Sequence, residues 1–121
     1  YGKKFKTRDG SAIRDYIDVQ DLAEIIYLTL LKVNKNKKML INCGYCKPYS
    51  VKQIIKEFSN AIDRKIKINY LSRRKVDIER IFANNSLMLK KFPKWKQKKN
   101  ISDSVNASLI WERYLSERFN F

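Results

Sequence analysis

Two charged clusters in this chain of 121 residues carry residue types able to do chemistry. The first is Ile13-Arg14-Asp15-Tyr16-Ile17-Asp18, where an arginine sits at a strand-like position among apolar neighbours. A guanidinium there is costly to bury unless it meets an anion, either a local carboxylate or a ligand phosphate. An ion pair to Asp15 or Asp21 and a phosphate contact are equally open on residue types alone. The second cluster is Arg73-Arg74-Lys75-Val76-Asp77. Adjacent arginines can fork around a diphosphate and a carboxylate can accept hydrogen bonds from sugar hydroxyls, but a solvated charged loop is the simpler account. A third feature is the Cys43-x-x-Cys46 spacing. Structural zinc needs two further ligands, and the chain has no histidine and no other cysteine. A redox pair belongs at a helix N-terminus, whereas Gly44-Tyr45 and Lys47-Pro48 read as loop. Two reduced thiols and no metal site are expected.

Composition narrows the class. With 44% hydrophobic and 32% charged residues the chain is globular rather than disordered, and its length suits one domain. A surplus of 27 Lys and Arg over 12 Asp and Glu, a formal charge of +15, favours polyanions or phosphate-bearing ligands. Most of that surplus is lysine, including Lys90, Lys91, Lys94, Lys96, Lys98 and Lys99, and a chain rich in Lys, Asn and Ile suits an AT-rich coding sequence. Solvated side chains are the expectation for these lysines as a class. A nucleic-acid-binding module lacks a supporting motif, because the lysines are scattered and no recognition helix is evident. Neither a membrane-length apolar run nor a signal peptide is visible, so a cytoplasmic protein is expected. The chain opens at Tyr1 rather than Met, as a piece of a longer protein does.

The elements that must position these residues follow from periodicity. Asp9-Gly10-Ser11 reads as a turn, and Ile13 to Val19 alternates as a half-buried strand. Leu22, Ile25, Ile26, Leu28 and Leu30 fall at helical spacing, so a helix is predicted from Asp21 to about Val33, with Asp18 or Gln20 ahead of it. After a basic loop, Met39 to Cys43 reads as a short buried strand stopped by Gly44. Ser50 precedes the helical stripe Val51, Ile54, Ile55, Phe58, Ala61 and Ile62, with Gln53 placed to complete a capping box. Lys65 to Leu71 alternates again as a third strand. A short helix is predicted around Ser86 to Lys91, closed by Pro93 with Trp95 packing behind. A last helix opens at Ser102, with Asp103 in its first turn and an apolar side of Val105, Leu109, Ile110 or Trp111, and Leu115. The sum is an α/β fold with a narrow sheet of about three short strands and three to four helices. Such a sheet leaves one face for another domain.

In order along the chain, Gly2, Asp9-Gly10, Arg14-Asp15-Tyr16-Ile17 with Asp21-Leu22-Ala23, Asn42-Cys43-Gly44, Tyr49-Ser50-Val51, Arg73-Arg74 with Asp77, and Ala83-Asn84 with Trp95 match a recurring set of segments. The set resembles the UDP-glucose 4-epimerase family, an NAD-dependent branch of the extended short-chain dehydrogenases, and covers nearly the whole chain. The resemblance implies that residues 1–121 form the C-terminal, UDP-sugar-binding domain of an extended Rossmann-type enzyme. Arg14 and Arg74 would hold the diphosphate, Tyr16 and Val51 would line the nucleotide pocket, Asp77 would bind the ribose hydroxyls, and Ile81 would limit the size of the sugar. Three positions depart from the family: Asp18 stands for its usual His, Val76 for the Gly of the arginine loop, and Glu79 for a common Pro.

The family's activity, as the resemblance implies it, interconverts UDP-glucose and UDP-galactose through a 4-keto intermediate using NAD and a Tyr-x-x-x-Lys pair. The chain has Gly2, Gly10 and Gly44 as its only glycines, and none of its tyrosines is followed four residues later by lysine. A fragment without catalytic residues or bound NAD is therefore expected, with an N-terminal Rossmann domain as its missing partner and a homodimer possible. Other extended short-chain dehydrogenases, such as nucleotide-sugar dehydratases and decarboxylases, are the alternative, along with a basic nucleic-acid-binding module.

Overall fold

The computed structural model describes residues 5–7, 9–33, 38–72 and 78–119. The elements run β1 (Phe5–Thr7), β2 (Ile13–Asp15), α1 (Val19–Lys32), β3 (Pro48–Ser50), α2 (Val51–Ala61), β4 (Ile68–Tyr70), α3 (Ser86–Lys91) and α4 (Ile101–Phe119). The α/β class agrees with the sequence, but the strands form two separate pairs rather than one three-stranded sheet. β1 lies parallel to β4, with Phe5 opposite Ile68 and Thr7 opposite Tyr70. β2 lies antiparallel to β3, with Ile13 opposite Ser50 and Asp15 opposite Pro48. A parallel bridge from Ile13 to Arg80 adds a third line of chain beside β2.

Helices formed where local signals were strongest. Asp18 is the N-cap of α1: its Oδ1 accepts from the Gln20 backbone N–H at 2.8 Å, one of the donors a helix start leaves unpaired. At α2 the capping box is complete, since Ser50 Oγ accepts from Gln53 N–H and Gln53 Oε1 accepts from Ser50 N–H. The last helix starts one residue before the expected Ser102, because Asn100 and Asp103 cap it reciprocally: Asp103 N–H donates to Asn100 Oδ1 and Asn100 N–H to Asp103 Oδ2. On α4 Val105 is buried, whereas Ile110 and Trp111 face solvent.

Two strand expectations changed. The alternation at Ile13–Val19 continues as strand only through Asp15, because Asp18 already caps a helix that begins at Val19. Met39–Cys43 has no strand partner among the described residues, so it forms no ladder. Its alternation still sorts side chains: Met39, Ile41 and Cys43 pack on the core, while Leu40 is 91% exposed. Conversely Pro48, read as loop, opens β3, where it takes the first strand position that a residue lacking an N–H tolerates.

The core gathers Ile25 of α1, Met88 of α3, Phe92 and Trp95, so the 86–95 segment is anchored as the sequence suggested. Beside it lie two buried carboxylates. Asp21, 1% exposed, accepts from the Tyr45 hydroxyl at 2.6 Å and from the backbone N–H groups of Lys98 and Lys99 at 3.0 and 3.2 Å. The Asp18 N–H donates to the Tyr45 hydroxyl oxygen, and Asp18 Oδ2 accepts from Ser104 Oγ at 2.7 Å. This network ties α1, the 45 turn, the 98–99 segment and α4 together.

Burial, and then donation of its proton to Asp21, raise the Tyr45 hydroxyl well above its ordinary value. A raised folded-state value means that the stabilisation is complete below about pH 10 and is lost as pH rises through the folded value. Tyr45→Phe is therefore expected to cost about 1–2 kcal/mol at neutral pH. Chemical denaturation at a series of pH values should show the gap between the two proteins narrowing above about pH 10; a constant gap would place the loss elsewhere.

Candidate functional site

β2 is the strand on which the first charged cluster lies, and three distant parts of the chain meet it. From one side β3 pairs with it, and Val51 N–H, the first of α2, donates to Ala12 O at 3.1 Å. Along the other side Ile13 N–H donates to Glu79 O at 2.9 Å, and Ile81 N–H donates to Ile13 O at 3.1 Å. Arg14, Val51 and Ile81 are thus carried on three adjacent lines of backbone. Tyr16 follows one residue past β2 and is half-buried. Arg74 and Asp77 lie outside the described residues.

Neither local ion pair considered for Arg14 forms. Its Nη1 donates to Ile13 O at 2.7 Å and its Nη2 to Ile78 O at 2.9 Å, so backbone carbonyls orient the guanidinium. Among the described residues no carboxylate pairs with this cation, and a guanidinium's five N–H donors exceed the two that these carbonyls take. Asp21 is committed to Tyr45 and the 98–99 backbone, and Asp15 is committed elsewhere. The Tyr16 hydroxyl is raised above its ordinary value by burial, with the Arg14 charge opposing, so it stays neutral and can donate.

Asp15 is the residue that sequence reasoning underrated. Its Oδ1 accepts from Tyr45 N–H at 3.2 Å, and its Oδ2 accepts from Cys46 N–H at 2.9 Å and Ala83 N–H at 3.3 Å. Gly44 is packed against it: a Cβ there would fall 2.4 Å from Asp15 Oδ2 and 2.6 Å from Ala83 Cβ. Asn85 Nδ2 closes the turn on Gly44 O at 2.9 Å. The available signal was the position of Gly44 itself, a glycine halting an apolar run.

The Cys43 thiol packs on the core and is raised by burial, while Cys46 is exposed with φ 55°. Among the described residues no group of three or more His, Cys, Asp or Glu side chains is placed to hold a metal ion. No described helix is long and apolar enough to cross a membrane.

No family model matches the chain. Individual proteins do. UDP-arabinose 4-epimerase 1 of Arabidopsis thaliana is 32% identical over 112 residues, 93% of this chain and 27% of that protein. UDP-glucose 4-epimerase of Yersinia enterocolitica is 33% identical over 120 residues, 99% of this chain and 35% of that protein. Among solved structures, UDP-glucose 4-epimerase from Bifidobacterium longum in complex with NAD+ and UDP superposes with a TM-score of 0.80 at 32% identity, over 98% of this chain and 35% of that one. The chain spans about a third or less of the length of these relatives. By sequence and by fold the chain is similar to UDP-sugar 4-epimerases, matching the C-terminal region of their structures.

Proposed function

We propose that the chain is the UDP-sugar-binding portion of an enzyme that interconverts UDP-glucose and UDP-galactose through a 4-keto intermediate. The observation that carries this is the convergence on β2: backbone bonds from Val51 to Ala12 and from Ile81 to Ile13 bring two distant segments beside an arginine that has no carboxylate partner among the described residues. On this reading Arg14 holds the diphosphate, joined by Arg74, while Tyr16 and Val51 line the nucleotide pocket and Asp77 takes the ribose hydroxyls. Each role suits its side chain: a planar cation for phosphate, a carboxylate for a diol, and apolar or aromatic faces for the base.

NAD does not fit the described residues. A dinucleotide needs a glycine-rich turn from a strand into a helix, whereas Gly10 leads into β2 and the space over Gly44 is filled by Asp15 and Ala83. Hydride chemistry therefore belongs to an N-terminal portion, and this chain's part is to bind and orient the UDP end. α1 supports such a partner. Its inner face buries Ile25, yet Val19, Ile26, Leu30 and Leu31 on the outside are 73%, 53%, 70% and 67% exposed. A helix apolar on opposite faces is built to be covered on both. Leu30→Glu is expected to leave the helix content of the chain unchanged and to abolish its association with the N-terminal portion of the Yersinia enterocolitica relative. Equal association by the variant would place that contact elsewhere.

The ligand itself gives the primary test. UDP titrated into the chain should bind and shift the amide resonances around Arg14, Tyr16 and Val51. Arg14→Ala should weaken binding about tenfold to a hundredfold, the loss of about 1.5–3 kcal/mol of charge-assisted hydrogen bonding. No response to UDP, with salt-sensitive binding to RNA instead, would favour the nucleic-acid reading. Dehydrated or decarboxylated products from the chain joined to a cofactor-binding portion would favour a neighbouring enzyme class.

On this reading Ile81, 47% exposed and smaller than the Tyr often placed there in the family that the chain resembles, would admit an N-acetylated hexose. Ile81→Tyr should reduce affinity for UDP-N-acetylglucosamine about tenfold while changing that for UDP-glucose about twofold or less, a discrimination of the size that steric pockets supply. Equal losses for both sugars would remove this role.

A further inference from the structure

We propose that Asp15 is the positioning residue of this site, a carboxylate that holds the 79–83 segment and the 44–46 turn against β2 so that Arg14 and Ile81 meet the ligand in fixed register. It rests on the UDP-sugar reading for the identity of that ligand. The geometry is local. Asp15 joins three sequence-distant pieces through the N–H groups of Tyr45, Cys46 and Ala83. These are hydrogen bonds from neutral backbone donors to a carboxylate acceptor, a class stronger than neutral pairs.

Three further features show that the junction is tightly determined. Gly44 admits no larger residue, because any Cβ would collide with Asp15 Oδ2 and Ala83 Cβ. Cys46 holds a left-handed backbone angle, φ 55°, unfavourable for a non-glycine residue, while its N–H is bound by Asp15. Asn85 Nδ2 donates to Gly44 O, so the far end of the 79–85 segment is bound to the same turn.

The link to ligand binding runs through Arg14. Its guanidinium is oriented by Ile78 O, and Ile78 precedes the Glu79–Ile81 backbone that pairs with Ile13. Asp15 pins that backbone at Ala83. Removing the pin frees the segment to slide, and the carbonyl that aims Arg14 moves with it. Asp15 therefore acts on the diphosphate through Arg14, without touching it.

The test uses the 121-residue chain with UDP as the probe, well below its melting temperature. Asp15→Asn places an amide where three N–H groups point. It is expected to weaken UDP binding about tenfold, as loss of hydrogen bonds to a charged group does. It should also speed hydrogen exchange at Tyr45, Cys46 and Ala83. Because the effect passes through Arg14, the double variant Arg14→Lys/Asp15→Asn should bind within about twofold of Arg14→Lys alone, whereas independent effects would multiply. Multiplying losses, or an Asp15→Asn chain that binds UDP as wild type does, would overturn the proposal. Should Asp15→Asn fail to fold, Asp15→Glu moves the same carboxylate by one methylene while keeping its charge, and is read by the same criteria. A wild-type chain indifferent to UDP overturns the functional reading and the ligand half of this proposal. Exchange at the three amides then decides the clamp, and unchanged protection in Asp15→Asn rejects it.

Discussion

A buried carboxylate is the constraint around which this molecule is organised. Asp21 is 1% exposed in a chain carrying +15, yet its Oδ2 is bound by a tyrosine hydroxyl and two backbone N–H groups rather than by a lysine. Burying a charge is tolerable only when its lone pairs are satisfied, and lysine would have had to bring a second desolvated charge to do it. Neutral donors avoid that second cost. The same solution recurs at Asp18, which takes Gln20 N–H and Ser104 Oγ, and at Asp15, which takes three backbone N–H groups. The lysines are left at the surface, as in the exposed pair of Lys98 with Glu24.

Among the described residues these carboxylates do part of the joining that a wider sheet would do. With strands of three residues and two separate pairs, ladder hydrogen bonding cannot hold the chain together. Distances along the sequence are closed instead by side chain to backbone contacts: Asp15 reaches residue 83, Asp21 reaches 98 and 99, and Asp18 reaches 104. The apolar core is correspondingly small, centred on Ile25, Met88, Phe92 and Trp95. Large apolar side chains stay outside on α1, and a small core of this kind is complete only when another surface covers them.

What was legible in the sequence follows the same division. The capping box of α2, the span of α1 and the short α3 are settled within a few residues of themselves, and periodicity with caps finds them. Strand partners are settled at long range. Pro48–Ser50 carries no alternation long enough to show, and becomes a strand because β2 is there to pair with it. Met39–Cys43 has the composition of a strand without a partner among the described residues. The site divides likewise. The types of Arg14, Tyr16, Val51 and Ile81 suggest chemistry, but only the bonds of Ala12 and Ile13 to Val51 and Ile81 bring them to one place. Asp15 reads in the sequence only as a partner for Arg14, because a carboxylate that binds backbone N–H groups leaves no partner residue type to point to.

Asp18 shows how a departure from a family pattern can be read physically. Where the resemblance implies a histidine, an aspartate supplies what a helix start needs: an acceptor for Gln20 N–H and a negative charge at the positive end of α1. Its second oxygen is taken by Ser104 on α4, so the substitution also fastens two helices that the sequence places far apart. An imidazole at that position offers at most one acceptor nitrogen and cannot serve both groups. An aspartate there is therefore compatible with an intact fold and joins α1 to α4 through Ser104.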